Sequence, residues 1–144
     1  MLAGKVTWLG QKMKFEGESR GFKTMLDAKP PFGDDGAASP KELVLQGLCG
    51  CTAMDTMALL KKFKQTITYL EVSATTELTK EHPTVFTDIE LVYQVNGVDD
   101  VAKVIEAVQL SRTKYCGVIA MLEQSSKIKY RILMNGSEVF RDGY

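Results

Sequence analysis

Ser39-Pro40-Lys41-Glu42-Leu43-Val44-Leu45-Gln46-Gly47-Leu48-Cys49-Gly50-Cys51-Thr52-Ala53-Met54-Asp55-Thr56-Met57-Ala58-Leu59-Leu60-Lys61-Lys62-Phe63-Lys64 is the stretch that decides the fold. Ser39 suits an N-cap, Pro40 the first helical position, and Glu42 completes a capping box with Ser39. From Leu43 to Leu60 apolar residues fall on nearly every face, which predicts a central, buried helix over about 40–64. Polarity returns at Lys61-Lys62-Phe63-Lys64, where cations suit the helix C-terminus.

Upstream, Val6–Leu9, Met13–Glu16 and Phe22–Leu26 alternate in character between glycine-bearing turns, so residues 1–28 read as short strands. Lys29–Ala38, rich in Pro, Gly and Asp, reads as a loop. Downstream, two longer strand patterns run over about Thr66–Leu78 and Val85–Val95, joined by a turn at Lys80-Glu81-His82-Pro83. Asn96-Gly97 ends the second, and Asp99 or Asp100 can cap a helix with Val101, Val104, Ile105 and Val108 on one face. A break at Thr113-Lys114-Tyr115 precedes a short helix near 117–123, and Ile128, Tyr130 and Ile132 mark a last strand over about 127–134. The order βββ-α-ββ-α-α-β is an α+β arrangement. The expectation is one domain spanning residues 1–144.

The 18 basic and 18 acidic side chains balance, so nothing calls for nucleic acid or an anionic membrane surface. Met1-Leu2-Ala3-Gly4-Lys5-Val6 lacks a basic region followed by an apolar run, and the longest apolar run carries Asp55. These features predict a soluble protein of a reducing cytoplasm, with no membrane span. Three cysteines do not make a disulfide framework. One histidine, His82, argues against a metal site and against a histidine-based triad, so no metal and no cofactor are expected.

The chemistry therefore falls to cysteine. Cys51 lies in the long apolar helix, and Cys116 opens a second apolar segment 65 residues later. That spacing is too wide for a local CxxC device. Two thiols on separate helices, brought together by folding, read as an attacking and a resolving pair. A buried cysteine is otherwise an inert small hydrophobe. Gly47 and Gly50 clear bulk beside Cys51. Asp55, one turn on, needs a partner if buried. Cys116 at a helix start has free N–H groups to favour its thiolate. Cys49 is about 200° around the helix from Cys51 and reads as packing. Glu42 lies about 180° from Cys51, which favours capping, whereas Lys41 is roughly 80° off its face and offers a cation or a solvated first-turn side chain. His82 reads as a turn residue or, alternatively, as the lining of a dimer cleft. The seven methionines read as core filler, with the option of softening an apolar pocket.

Ser39-Pro40-Lys41-Glu42-Leu43, Gly50-Cys51-Thr52-Ala53-Met54-Asp55, Glu81-His82-Pro83-Thr84-Val85-Phe86-Thr87 and Lys114-Tyr115-Cys116 together resemble the OsmC/Ohr family of organic hydroperoxide reductases. The resemblance runs to about Met134. It implies a strand-swapped, intertwined homodimer in which two long central helices are wrapped by antiparallel sheets. It implies that Cys51 attacks an organic hydroperoxide and becomes a sulfenic acid, that Cys116 condenses with it to a disulfide, and that a dithiol, such as a lipoylated protein, resets the pair. Two departures stand out. The family's peroxidases carry Glu at the position of Lys41, and an Arg from the early strands holds the thiolate. Phe22–Leu26 has no Arg, and Arg20, Lys23 and Lys29 are the nearest cations. The chain is thus similar to the family's OsmC-like branch.

Two classes of function follow. One is a thiol-dependent peroxidase acting through Cys51 and Cys116. The other is a non-catalytic protein that binds a small ligand in an apolar cleft or senses redox state through the same pair.

Overall fold

The computed structural model describes residues 1–144, which form two compact units, Met1–Leu45 and Gln46–Tyr144. The first unit is built on a three-stranded antiparallel meander, β1 (Lys5–Trp8), β2 (Phe15–Ser19) and β3 (Phe22–Leu26). Arg20 and Gly21 turn the second hairpin at φ of 52° and 87°. Positive φ at both central positions matches the right-handed twist of the strands on either side. β2 starts later than the sequence pattern suggests, because Leu9–Lys14 close a turn of their own, with Leu9 N–H donating to the Lys14 carbonyl and Lys14 N–H to that of Gln11.

Register makes this sheet two-faced. Trp8, Phe15 and Leu26 form one cross-strand row, with Val6, Gly17 and Thr24 beside it on the same face. The opposite face carries Lys5, Glu18 and Lys23, joined by ion pairs of 3.0 and 3.4 Å. Helix α1 (Pro40–Lys62) starts in this unit. Its capping box forms as expected: Ser39 N–H donates to Glu42 Oε1 at 3.0 Å, and Glu42 N–H to Ser39 Oγ at 3.4 Å.

The second unit holds most of α1 and a four-stranded sheet in the order β4 (Tyr69–Leu78), β5 (Phe86–Asn96), β6 (Ile128–Met134), β7 (Ser137–Asp142). Ile89, Leu91, Tyr93 and Val95 alternate inward along β5, paired with Ile128, Tyr130, Ile132 and Met134 of β6. β5 and β6 run parallel, so the sheet is mixed rather than antiparallel as expected. The reason lies in the connection. Helix α2 (Val101–Leu110), a wide π-helical turn (Ser111–Tyr115) and helix α3 (Gly117–Leu122) return the chain to the starting end of the sheet, as a parallel crossover requires. Asp100 caps α2, its carboxylate accepting from Lys103 N–H at 3.2 Å. β4 begins at Tyr69 rather than Thr66. β7, a strand the sequence pattern did not suggest, follows a tight turn with Asn135 and Gly136 at φ of 51° and 85°.

Helix α1 is not buried all round. Leu48, Thr52, Thr56, Leu59 and Leu60 form one buried stripe that joins the core with Val104, Val108, Ile119 and the β5–β6 rows. Met54 on another face is 75% exposed. Cys49 and Cys51 pack partly buried against the same core. By length and composition α1 is also apolar enough to cross a membrane, contrary to the expectation that Asp55 disqualifies it.

Candidate functional site

Cys51 and Asp55 are four residues apart in α1 and share a face. The π-helical turn supplies the rest. Cys116 N–H donates to the Ser111 carbonyl at 2.9 Å, five residues back, which widens the turn and brings Ser111 and Cys116 to one side. The result is a cluster in which the Cys51 and Cys116 sulfurs and an Asp55 carboxylate oxygen all lie within 4.8 Å of one another. All three cysteines are free thiols, and Cys49 is outside the cluster. Cys51, Asp55 and Cys116 are the residues positioned to hold a metal ion.

Behind the cluster runs a file of buried hydroxyls. Tyr93 Oη meets Thr52 Oγ1 at 2.7 Å, Thr52 Oγ1 meets Ser111 Oγ at 2.8 Å, and Ser111 Oγ donates to Asp55 Oδ2 at 3.1 Å. The direction of the first two bonds follows from the last. Ser111 has one hydroxyl proton, and it points at Asp55. Thr52 must then donate to Ser111, and Tyr93 to Thr52. Burial holds the Tyr93 phenol well above its ordinary value, so it stays a donor. Sequence reasoning missed Thr52, Ser111 and Tyr93. The available signal was Thr52 beside Asp55 in an otherwise apolar helix, since buried polar groups require partners.

Cys116 corrects an expectation. It does cap α3, its sulfur accepting Ile119 N–H at 3.4 Å, which favours the thiolate. Yet the residue is only 4% exposed, and burial pushes the thiol up to about 11, with Cys51 adding to the rise. Desolvation outweighs the helix terminus here. Burial likewise raises the Cys49 thiol.

The remaining candidates lie elsewhere. His82 sits in the exposed loop between β4 and β5 and is not in the cluster. Arg20, Lys41 and Glu42 belong to the Met1–Leu45 unit. The Arg20 guanidinium lies 5.2 Å from the Phe22 ring centre, at the hairpin turn. Lys41 is exposed in the first turn of α1. Glu42 is engaged in the capping box, whose donors from Ser39 hold its carboxyl below the usual range. Within their own unit, the early-strand cations are committed to local partners: Lys23 contacts Glu16 and Glu18.

Fold and site define a small α+β protein with two free thiols and a carboxylate gathered between its long helix and a π-helical turn. The chain belongs to the OsmC-like protein family, whose profile matches residues 33–131. It is 37% identical over 131 residues to Protein YhfA of Escherichia coli K12, covering 90% of this chain and 95% of that protein. Among solved structures, an OsmC-like protein from Mycoplasma pneumoniae superposes with a TM-score of 0.81 at 16% identity, covering 93% of this chain and 96% of the other. An organic hydroperoxide resistance protein from Elizabethkingia anophelis does so with a TM-score of 0.72 at 16% identity, covering 94% and 96%. At such identity these two likenesses concern the fold alone.

Proposed function

We propose that this protein is a thiol-dependent peroxidase that reduces organic hydroperoxides to alcohols, working as a homodimer in the cytoplasm. The observation that carries the reading is the apposition of Cys51 and Cys116, 65 residues apart in sequence and with sulfurs within 4.8 Å. The Cys51 thiolate attacks the terminal peroxide oxygen. The O–O bond breaks, an S–O bond forms, and the alkoxide takes a proton from water to leave as the alcohol. The Cys116 sulfur then displaces hydroxide from the sulfenic acid, giving a Cys51–Cys116 disulfide and, with the thiol proton, one water. An external dithiol reduces the disulfide by exchange and is itself oxidised to a disulfide. Cys51 is half-buried and Cys116 buried, an arrangement that suits first attack by Cys51. The test is cumene hydroperoxide consumption by the reduced protein, with mass spectrometry of the product. Wild type should consume peroxide and form the Cys51–Cys116 disulfide, and Cys51→Ser should lose all consumption beyond that of a free thiol. Full activity in Cys51→Ser would overturn the assignment.

A second reading has one observation in its favour. Burial holds the resolving thiol up to about 11, and the third group gathered with the two sulfurs is a carboxyl, Asp55, rather than a cation. That environment suits a non-catalytic ligand-binding or redox-sensing protein. A groove of about 580 Å³ lined by Met54, Met57, Ile67, Tyr69 and Leu70 offers such a ligand an apolar bed. Peroxide consumption no faster than that of a free thiol, with both cysteines still reduced, would favour this reading.

A further inference from the structure

We infer that the reduced Cys51–Asp55–Cys116 cluster is a binding site for a thiophilic divalent cation, of which Zn²⁺ is the type. The inference goes beyond the peroxidase reading and does not depend on it, because it concerns what the reduced pair holds rather than what it attacks.

The donor set is the first argument. Two cysteine sulfurs and a carboxylate oxygen are ligands of the kind that borderline-soft cations select. Here they come from two separated stretches of chain and converge within 4.8 Å. Tetrahedral zinc, with bonds of about 2.3 Å to sulfur and about 2.0–2.2 Å to oxygen, places its ligand atoms roughly 3.7 Å apart. Closing the cluster onto an ion therefore needs small side-chain adjustments and no rearrangement of the backbone.

The support behind the ligands is the second argument. Metal-binding carboxylates are held by hydrogen bonds from an outer layer of side chains. Ser111 Oγ donates to Asp55 Oδ2 at 3.1 Å, leaving Oδ1 to ligate. Ser111 is itself fixed by Thr52, and Thr52 by Tyr93, all three fully buried. The carboxylate is thus aimed by a rigid file of donors, and the two thiols are held by α1 and by the π-helical turn.

The third argument is the charge of the ligand set. Two thiolates and one carboxylate offer a divalent cation three anionic ligands, and a bound cation deprotonates a coordinating thiol outright. On binding, the two thiol protons go to solvent, two sulfur–metal bonds and one oxygen–metal bond form, and no electron moves. Three protein ligands leave a fourth position for water. A chain in this state has both sulfurs capped, and neither is available to a peroxide or an alkylating agent.

The test uses the full-length reduced protein and Co²⁺ as a spectroscopic stand-in for Zn²⁺. One Co²⁺ per chain should bind, with near-ultraviolet thiolate-to-cobalt absorption and the visible bands of a tetrahedral ion. Cys51→Ser and Cys116→Ser should each lose that spectrum, Cys49→Ala should keep it, and Ser111→Ala should weaken binding by about 10–100-fold. A spectrum unchanged in Cys116→Ser, or lost in Cys49→Ala, overturns the proposal. A second measurement needs no variant. In wild type, Zn²⁺ should block alkylation of Cys51 and Cys116 by iodoacetamide while leaving Cys49 labelling unaltered, as read by peptide mass spectrometry. Equal labelling of Cys51 and Cys116 with and without Zn²⁺ also overturns it.

Discussion

Thr52 is a hydroxyl at the centre of a helix that is otherwise mostly apolar, and its position between Tyr93 and Ser111 makes it the hub of the buried file that ends on Asp55. Thr52→Val keeps the shape and removes the hub. The Tyr93 phenol then has no acceptor and Ser111 loses a donor, in a region with no solvent access. A buried group left unsatisfied costs about 1–3 kcal/mol. Urea unfolding of Thr52→Val should show a loss of that size with an unchanged slope, and a change within about 0.5 kcal/mol would mean the file contributes nothing to stability. At this scale, the spacing of Cys51 and Asp55 was legible because a helix repeats its faces, and the pairing with Cys116 was legible from the two apolar segments. Ser111 and Tyr93 were not legible. A serine before a break in the helical pattern and a tyrosine in a strand carry no local mark of their partner, which arrives from an element 59 or 41 residues away. The Cys116 electrostatics misled for a related reason: a helix terminus is visible in a sequence, but the depth of burial that opposes it is set by the tertiary fold.

Among the elements, the loop from Asp27 to Ala38 is more ordered than its Pro, Gly and Asp content suggests. Asp27 accepts from Ala28 N–H at 2.7 Å and from Gly36 N–H at 3.0 Å, and its own N–H reaches the Ala38 carbonyl. Gly33 is required at its position, since a Cβ there would stand 2.1 Å from the Ala28 carbonyl oxygen. The backbone donors, Gly36 first, hold the Asp27 carboxyl below its ordinary value. The sign follows from linkage. A lowered folded-state value contributes stability that is complete above the ordinary aspartate value of 3.8 and is lost as pH falls below it through the folded one. Thermal unfolding followed from pH 7 downward should therefore show Asp27→Asn less stable than wild type near neutrality, with the gap narrowing below about pH 4. A gap that stays constant across that range would show that this carboxylate does not couple the loop to pH. The same scale shows why β7 went unread. Asn135-Gly136 is the strongest short-range hairpin signal a sequence offers, and Ser137–Asp142 follows it, but only two of that strand's six residues, Val139 and Phe140, are apolar. A strand so polar is stabilised by pairing with β6 rather than by its own pattern. The parallel pairing of β5 with β6 is equally silent in sequence, since alternation along a strand is the same in either direction.

At the scale of the whole molecule, each compact unit leaves apolar surface that a stable soluble protein would cover. In the first, the apolar face of the meander is only partly screened: Trp8 is 57% exposed and Phe22 68%, while the opposite face is laced with ion pairs. A small sheet gains its stability by packing an apolar face, and this one is only partly packed. In the second, α1 buries one stripe and shows Met54, with Met57 and Ala58 lining the groove beside it. Exposed apolar surface of this kind suits association, and the occupant we propose is a second copy of the chain, the strand-swapped homodimer that the family resemblance implies. The two kinds of surface allow separate tests. Met54→Lys places a charge on the exposed face of α1, away from the buried stripe, so the core is spared. Trp8→Lys does the same for the meander. Sedimentation velocity should give wild type as a dimer at micromolar concentration. If a self-complementary interface covers both surfaces, each variant should shift the population toward monomer, because a charge desolvated without a partner costs several kcal/mol and a symmetric interface contains it twice. Circular dichroism separates dissociation from unfolding: a folded monomer in either variant places that surface in the interface, whereas a wild-type monomer would remove the dimer from the proposal and leave α1 and the meander to some other partner.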